Sequence, residues 1–248
     1  MGLRMDKKLV LLGTADGASP EAFHRYYLEA HARKVAQAPA VKQYFANKIV
    51  VPNEEVMAAG WGWGGTDESG ILAMDELWCD DGFDVLSLYA DDERIDVKFA
   101  YDTEEVVIRP TLAQWGLGER SPWIKRIGLI RCASDQRPAD FFRYWERAHA
   151  PLALRTHIGN GYYEQMHLHT PLVERDVVWN GVMVLDYWSV DAFRYGHFSR
   201  PTAAEEIKQD CACFLDVFNT LLGEEYVMKR MDGFIEAMFE DFSPRPNL

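Results

Sequence analysis

The chain has 248 residues and a formal net charge of −13, because 39 acidic residues outnumber 26 lysines and arginines. Nucleic acids and anionic membranes are bound through cationic patches, so this charge argues against both as partners. Hydrophobic residues make up 48% of the chain and aromatic residues 13%, which suffices for a packed core and for the walls of a pocket that holds a flat ligand.

Cysteine usage and apolar runs indicate the compartment. The N-terminal residues lack the apolar run of a signal peptide, and no segment has the roughly 20 apolar residues of a membrane span. We therefore expect a cytoplasmic protein whose four cysteines are reduced. Cys211 and Cys213 lack a second pair at the spacing of a zinc finger.

A repeat organises the chain. Residues 20–32 and 138–150 align at a constant offset of 118 residues, as His31 and His149 illustrate (149 − 31 = 118), and seven of the thirteen aligned positions are identical. Unrelated sequences would share about one residue over this length. The repeat predicts two copies of one structural unit.

The first copy predicts the order strand, helix, strand, strand, helix, strand. Ser19 is placed to cap the first helix and Pro20 to occupy its first position. A loop rich in glycine and tryptophan, at 60–65, precedes the third strand, and the acidic stretch 93–103 is expected to be irregular. The predicted strands are 7–13, 41–51, 71–79 and 104–109, and the predicted helices are 20–37 and 80–92.

The second copy repeats this order. Its first helix begins at Pro138, and Pro151 either closes the helix or kinks it. Its second helical region starts near Val190, is interrupted near Arg200 and continues over 203–218. The predicted strands are 124–132, 161–169, 181–189 and 224–228.

This order of elements is that of the ferredoxin-like fold. We predict an α+β protein with a first unit at 1–112, a linker at 113–122 and a second unit at 123–230. A short amphipathic tail at 231–248 is expected to pack on the body or on a neighbouring subunit.

The first helix of the second copy carries an aromatic stripe that includes a histidine. Phe141, Tyr144, Trp145 and His149 recur at helical spacing. Burial favours the neutral form of a histidine, which can accept a proton near pH 7. The alternative is structural, with the ring satisfied by a backbone carbonyl near the helix end.

The motif in this helix resembles the EthD family of the dimeric α/β-barrel superfamily. The first copy departs from it, since Tyr27 replaces the tryptophan and Arg33 the proline. The second copy matches it at Phe141, Tyr144, Trp145, His149, Ala150 and Pro151.

The resemblance implies that two ferredoxin-like sheets face each other and close a barrel, which single-copy relatives achieve with two chains. It places the ligand between the sheet and the helices of a unit. It also implies activities on aromatic compounds such as cofactor-free dehydration, decarboxylation, cyclisation, lactone isomerisation or quinone-forming monooxygenation, with haem proteins as more distant relatives. The superfamily hosts many unrelated functions.

Together these observations predict a cofactor-independent lyase or isomerase that acts on a small aromatic or cyclic carbonyl compound and assembles as a homodimer. Histidine and tyrosine would supply the acid–base chemistry, so the catalytic candidates are His149, Tyr144, Tyr162 and His31. The candidates for substrate binding are Trp145, Phe141, Tyr26, Tyr27, Tyr44, Trp188 and Asp186.

Three alternatives stay open. His167 and His169 lie on one face of a strand and could begin a metal site, completed by Asp186 or His197. An inward histidine with aromatic walls would also suit haem, although no arginines for the propionates are evident. The third alternative is a binding or accessory protein for an aromatic metabolite.

Overall fold

The computed structural model describes residues 5–60, 65–66, 70–113 and 115–231. The predicted glycine- and tryptophan-rich loop lies mostly outside these ranges, and so does the predicted amphipathic tail.

The first unit begins with a strand and a long helical segment. This segment comprises α1 (Pro20–Tyr26), a π-helical turn (Tyr27–His31) and α2 (Ala32–Gln37), and Ser19 caps it as predicted. A short helix, α3, spans Glu54–Ala58. The strands are β1 (Met5–Thr14), β2 (Val41–Val50), β3 (Gly65–Thr66), β4 (Ala73–Asp80) and β5 (Ile95–Arg109).

The second unit repeats this plan. Its helices are α4 (Pro138–Tyr144), a π-helical turn (Trp145–His149), α5 (Ala150–Thr156), α6 (Val190–Gly196) and α7 (Ala203–Cys211). Its strands are β6 (Ile124–Cys132), β7 (Asn160–Pro171), β8 (Gly181–Tyr187) and β9 (Leu215–Lys229).

Eight strands close an antiparallel barrel in the order β2-β4-β1-β5-β7-β8-β6-β9, with β9 pairing back to β2. The first four and the last four strands of this order each form a ferredoxin-like sheet. The predicted α+β fold of two tandem ferredoxin-like units is therefore confirmed. The two-residue β3 adds to β9 in parallel.

Two seams join the units, and they correct the predicted extents of the last strands. The β5 strand pairs with β1 along its first half and with β7 along its second half, so residues 95–103 are strand and not irregular structure. The β9 strand likewise pairs with β6 and then with β2, so the helix predicted to reach residue 218 ends at Cys211. Each strand is long because it belongs to both sheets.

The structure also decides two local predictions, one about a helix and one about a proline. The helix predicted over 80–92 is only a 3₁₀ turn, Val85–Leu88, which follows Gly82 at a positive φ of 70°. Pro151 does not end its helix. It lies in the first turn of α5, directly after the π-helical turn, where its missing N–H costs little.

Strand alternation separates three cores. Leu9 and Leu11 of β1 point into the barrel, whereas Val10 and Leu12 point outward to the helices of the first unit. A third cluster lies between the second sheet and its helices, around Phe141. The interior of the barrel is apolar towards one end and polar at the other.

Candidate active site in the barrel mouth

A cavity of about 460 Å³ opens at the polar end of the barrel. Its size lies within the range of pockets that hold small organic ligands. Both units and the segment that connects them contribute to it. The aromatic lining residues are Phe45, Trp78, Trp115, Trp123 and Tyr162, and carboxyl and ammonium groups lie among them.

Strand register sets two equivalent rows of side chains across the mouth. In the first unit, Trp78 of β4 lies opposite Lys7 of β1 and Gln43 of β2. In the second unit, Asp186 of β8 occupies the equivalent position, opposite Lys125 and Tyr162. The two lysines keep the offset of the sequence repeat (125 − 7 = 118).

Glu76 links the two rows. Its carboxylate accepts from Lys125 Nζ at 2.6 Å and lies 3.1 Å from Lys7 Nζ. Lys7 also bonds Glu105 at 3.0 Å and Glu164, and Lys125 bonds Glu225 at 2.6 Å. This chain of ion pairs crosses the barrel and ties the two units together.

The mouth holds an excess of acid, because five carboxyl groups outnumber three cationic groups, Lys7, Lys125 and Arg230. Glu76 lies between both ammonium groups, and although burial opposes ionisation, they lower its pKa to about 2. Glu105 and Glu225 are nearer to solvent, with 24% and 11% of their side chains exposed. Glu164 and Asp186 are each opposed by one lysine, Lys7 and Lys125 respectively, and this does not offset their burial.

Burial therefore dominates at Glu164 and Asp186. It raises the pKa of Glu164 to about 8, with Lys7 opposing and Glu105 and Glu76 adding to the rise. It raises the pKa of Asp186 well above its usual range, with Lys125 opposing and the neighbouring carboxylates adding. The site therefore holds a carboxyl group whose protonated form is favoured by burial, Asp186, beside Glu164, whose pKa is about 8.

Tyr162 connects these two groups. Its hydroxyl donates to Glu164 Oε2 at 3.0 Å, and its strand position is directly opposite Asp186. Burial and the nearby carboxylates raise the pKa of Tyr162 well above its usual range, so it stays a donor. Asp186 Oδ1 is buried and has no hydrogen-bond partner among the described residues.

Comparison with known proteins assigns the family. Residues 15–99 and 133–217 each match the EthD domain, again at an offset of 118 residues. The chain belongs to the EthD family. The tandem duplication that the repeat predicted is thereby confirmed, and each half contains one EthD domain.

Solved structures show the same fold. An anthrone oxidase-like protein superimposes with a TM-score of 0.54 at 10% identity, covering 90% of this chain and 93% of that one. A protein from Fusobacterium nucleatum proposed to be a monooxygenase gives a TM-score of 0.50 at 9% identity, covering 92% and 94%. No curated protein sequence matches the chain.

The predicted histidines lie outside the barrel mouth. In the second EthD unit, Asp210 accepts from Tyr144 Oη at 2.7 Å and from His149 Nδ1 at 2.6 Å. None of these three residues lines the mouth cavity. We name this arrangement the Tyr–Asp–His clamp, because it fastens the first helical segment of the unit to α7.

The first EthD unit contains the same clamp. Asp92 accepts from Tyr26 Oη at 2.9 Å and from His31 Nδ1 at 2.8 Å. Both aspartates were missed by sequence reasoning, although Asp92 and Asp210 also stand 118 residues apart. The constant offset was the available signal.

Tyr27 and Tyr44 lie in a closed network of the first EthD unit. Their hydroxyls and that of Tyr89 donate to the fully buried Asp75, at 2.7 Å for Tyr44 and Tyr89. The repeat offset of 118 residues relates Tyr44 to Tyr162, but strand register pairs Tyr44 with Tyr163, since these two lie opposite Leu77 and Leu185. Tyr44 and Tyr162 therefore face opposite sides of the barrel wall.

The remaining predicted residues are dispersed. Phe141 and Trp145 are buried in the outer core of the second unit, and Trp188 is 52% exposed. Of all the predicted site residues, only Tyr162 and Asp186 line the mouth.

Of the proposed metal ligands, His167 and His169 lie near the same carboxylate, with ring nitrogens 3.8 and 3.2 Å from Glu104 Oε2, but Asp186 and His197 do not join them. His167 stacks on Phe142 outside the barrel wall, with ring centroids 4.4 Å apart, whereas Asp186 faces the interior. His197 is bonded to Tyr187 at 2.6 Å. Across the described ranges there is no group of three or more His, Cys, Asp or Glu side chains placed to hold a metal ion. The same ranges contain no helix long and apolar enough to span a membrane.

Proposed function

We propose that the protein is a small-molecule enzyme, a lyase or isomerase, that moves protons on an aromatic or cyclic carbonyl compound bound in the barrel mouth. The observation that carries the proposal is the pair Glu164 and Asp186, two buried carboxyl groups with raised pKa values in an aromatic-walled cavity. Perturbed acids in a pocket are typical of general acid–base sites.

The pair lies at suitable positions for one substrate. Glu164 and Asp186 occupy diagonal positions on neighbouring antiparallel strands, because Tyr162 is the residue directly opposite Asp186. Diagonal positions are about 7 to 8 Å apart at the backbone. This spacing lets the two carboxyl groups contact a carbonyl oxygen and an adjacent carbon of the same ring.

The chemistry follows from the two protonation states. Deprotonated Glu164 takes a proton from the carbon next to the carbonyl, while Asp186 donates its proton to the carbonyl oxygen, which yields an enol. Return of the Glu164 proton to a different carbon, with recovery of the oxygen proton by Asp186, completes an isomerisation. If the substrate instead expels a β-hydroxyl, the Asp186 proton leaves with it as water and solvent restores both groups.

Electrostatics also favours the formation of the enol. Lys125 lines the cavity and keeps its positive charge, because Glu225 and Glu76 raise its pKa far above the usual range despite burial. This buried cation stabilises the negative charge that develops on the carbonyl oxygen before the transfer of the Asp186 proton is complete. Tyr162 supplies a second donor on the same wall.

The earlier candidates His149, Tyr144 and His31 stay predictions, and they give the matched control. We expect Asp186→Asn and Glu164→Gln each to slow exchange of α-protons for deuterium at least 100-fold, because one half of the acid–base pair is lost. His149→Gln should retain exchange within about threefold. The measurement is NMR of anthrone, aromatic lactones and hydroxy-ketones in D₂O; anthrone is included because of the name of one structural relative.

Three outcomes would contradict the proposal. Loss of exchange in His149→Gln together with full activity in both carboxyl variants would move the chemistry to the clamp. Binding without any exchange by the wild-type protein would leave a binding protein. Oxygen uptake coupled to substrate loss, followed in the same samples, would indicate an oxidase and not a lyase or isomerase.

A further inference from the structure

Gln43 is a polar residue of the mouth that the acid–base chemistry does not use. It lies on β2, opposite Trp78, in the position that Tyr162 holds in the second unit. The row of the second unit therefore consists of Asp186, Tyr162 and Lys125. The row of the first unit consists of Trp78, Gln43 and Lys7, so it has an indole in place of the acid and an amide in place of the phenol.

The amide of Gln43 is unsatisfied. The residue is 1% exposed and lines the cavity, and neither Nε2 nor Oε1 has a hydrogen-bond partner among the described residues. Buried polar groups are almost always paired, so an amide with both ends unpaired requires an explanation. Asp186 Oδ1, in the other row of the same cavity, is likewise without a partner.

The two unpaired groups belong to different units. Around the barrel, β2 and β8 are separated by β9 and β6, so Gln43 and Asp186 approach the cavity from different sides. A ligand that satisfies both must carry polar groups at two separate edges. The aromatic walls between them favour a flat ring system.

The charges of the mouth constrain the ligand further. Glu76, Glu105 and Glu225 balance the charges of Lys7, Lys125 and Arg230, and Asp186 and Glu164 resist ionisation. A substrate carboxylate would disturb this balance and would lie among five carboxyl groups of the protein. An uncharged ligand meets no such cost.

We propose that Gln43 is a specificity-determining residue that hydrogen-bonds a hydroxyl group of the substrate. The preferred substrate is then a flat, uncharged ketone with two or three fused rings, and its hydroxyl lies on the ring edge opposite the ketone. This inference rests on the proposed function, which assigns the ketone to Asp186. The amide both donates and accepts, and a hydroxyl does the same, so the pair satisfies two bonding needs at once.

A matched pair of ligands tests the inference. The probes are 6-hydroxy-1-tetralone and 1-tetralone, which differ only by the hydroxyl opposite the ketone, and binding is measured by calorimetry. We expect the wild-type protein to bind the hydroxylated ketone at least tenfold more tightly. Gln43→Met, similar in shape but without hydrogen-bonding atoms, should bind both ligands equally and retain the wild-type affinity for 1-tetralone.

Thermal stability of the ligand-free protein gives a second readout. Removal of an unpaired buried amide should leave the melting temperature unchanged or raise it by a few degrees. If Gln43→Met instead lowers the melting temperature and weakens both ligands to the same extent, Gln43 is a structural residue and the inference is wrong. Equal affinity of the wild-type protein for both ligands would also overturn it.

The inference and the proposed function fail in different ways. Asp186→Asn should abolish proton exchange but keep the preference for the hydroxylated ketone, because Gln43 is intact. If the wild-type protein shows this preference without exchange, recognition by Gln43 stands and the acid–base proposal fails. If the wild-type protein exchanges protons without preferring the hydroxylated ketone, the acid–base proposal stands and the inference about Gln43 fails.

Discussion

The carboxyl group of Glu164 makes the proposed reaction dependent on pH. Its pKa of about 8 means that the base form is the minority form at neutral pH. A general base must be deprotonated in the free enzyme, so kcat/KM should rise about tenfold per pH unit well below pH 8 and stop rising once Glu164 is deprotonated. Loss of the Asp186 proton at higher pH makes kcat/KM fall again. The measurement is the exchange rate between pH 6 and pH 9.5.

The variants identify the group that titrates. Glu164→Gln should lack this inflection, and Tyr144→Phe should keep it. An inflection that disappears in His149→Gln and stays in Glu164→Gln would instead make the clamp histidine the base. The profile therefore distinguishes the two candidate sites without knowledge of the natural substrate.

At the residue scale, the sequence predicted some members of the mouth and not others. Tyr162 and Asp186 were candidates because tyrosine and aspartate suit carbonyl chemistry. Glu164 and Lys7 were not, since charged residues in a strand usually face solvent, and only closure of the barrel turns that face inward. Gln43 gave no signal, because its importance depends on the absence of partners in three dimensions.

The two Tyr–Asp–His clamps act between elements. In each unit the aspartate satisfies a tyrosine and a histidine of the first helical segment. Asp92 and Asp210 have lowered pKa values, because the bonds from histidine and tyrosine outweigh their partial burial. A depressed folded-state pKa stabilises the fold above the unfolded value near 4, and this stabilisation is lost as the pH falls through the folded value.

We expect Asp92→Ala to lower the free energy of unfolding by about 3 kcal/mol and Asp210→Ala by about 2 kcal/mol. The first is the larger because the side chain of Asp92 is 4% exposed and that of Asp210 is 15% exposed, so the groups left unpaired around Asp92 are less accessible to water. Urea denaturation at pH 7 measures both.

A surface ion pair provides the control for the clamps. Arg137 bonds Asp140 but is 83% exposed, so Arg137→Ala should change the free energy of unfolding by less than about 0.5 kcal/mol. If the clamp variants were as mild as this control, the clamps would have no structural role. The occurrence of the same three residues in both units would then favour the catalytic interpretation of His149.

The elements themselves were predicted unevenly. The first helices and β6 were found because local periodicity and capping residues determine them. The full extents of β5 and β9 were missed because half of each strand pairs with the other unit, and an acidic stretch such as 93–103 gives no local sign of a distant partner. Tertiary pairing determined the conformation in those places.

The whole molecule depends on its two seams. Either unit alone would expose the edges of two strands, β2 and β5 in the first unit and β7 and β9 in the second. Exposed edges promote aggregation or pairing with another copy. The ion pairs of Lys125 with Glu76 and of Lys7 with Glu164, which join the units, would also be broken.

We therefore expect fragments 1–122 and 123–248 to aggregate or self-associate when expressed separately. When co-expressed, they should assemble into a 1:1 complex with the far-ultraviolet circular dichroism of the intact chain. Size-exclusion chromatography with light scattering makes the measurement, and a stable folded monomer of either fragment would contradict it. The same experiment on the intact chain tests the expected homodimer, which stays a prediction.

The joining of both units in one chain has a genetic consequence. In a barrel built from two identical subunits, each inward residue occurs twice, so a mutation that introduced an acid at one rim would introduce it at the opposite rim as well. In this chain each codon contributes one side chain to the barrel. Lys7 and Lys125 are identical at equivalent positions and so preserve the twofold symmetry, whereas the equivalent positions 78 and 186 hold Trp78 and Asp186. Duplication within one chain thus allowed one side of the mouth to change independently of the other.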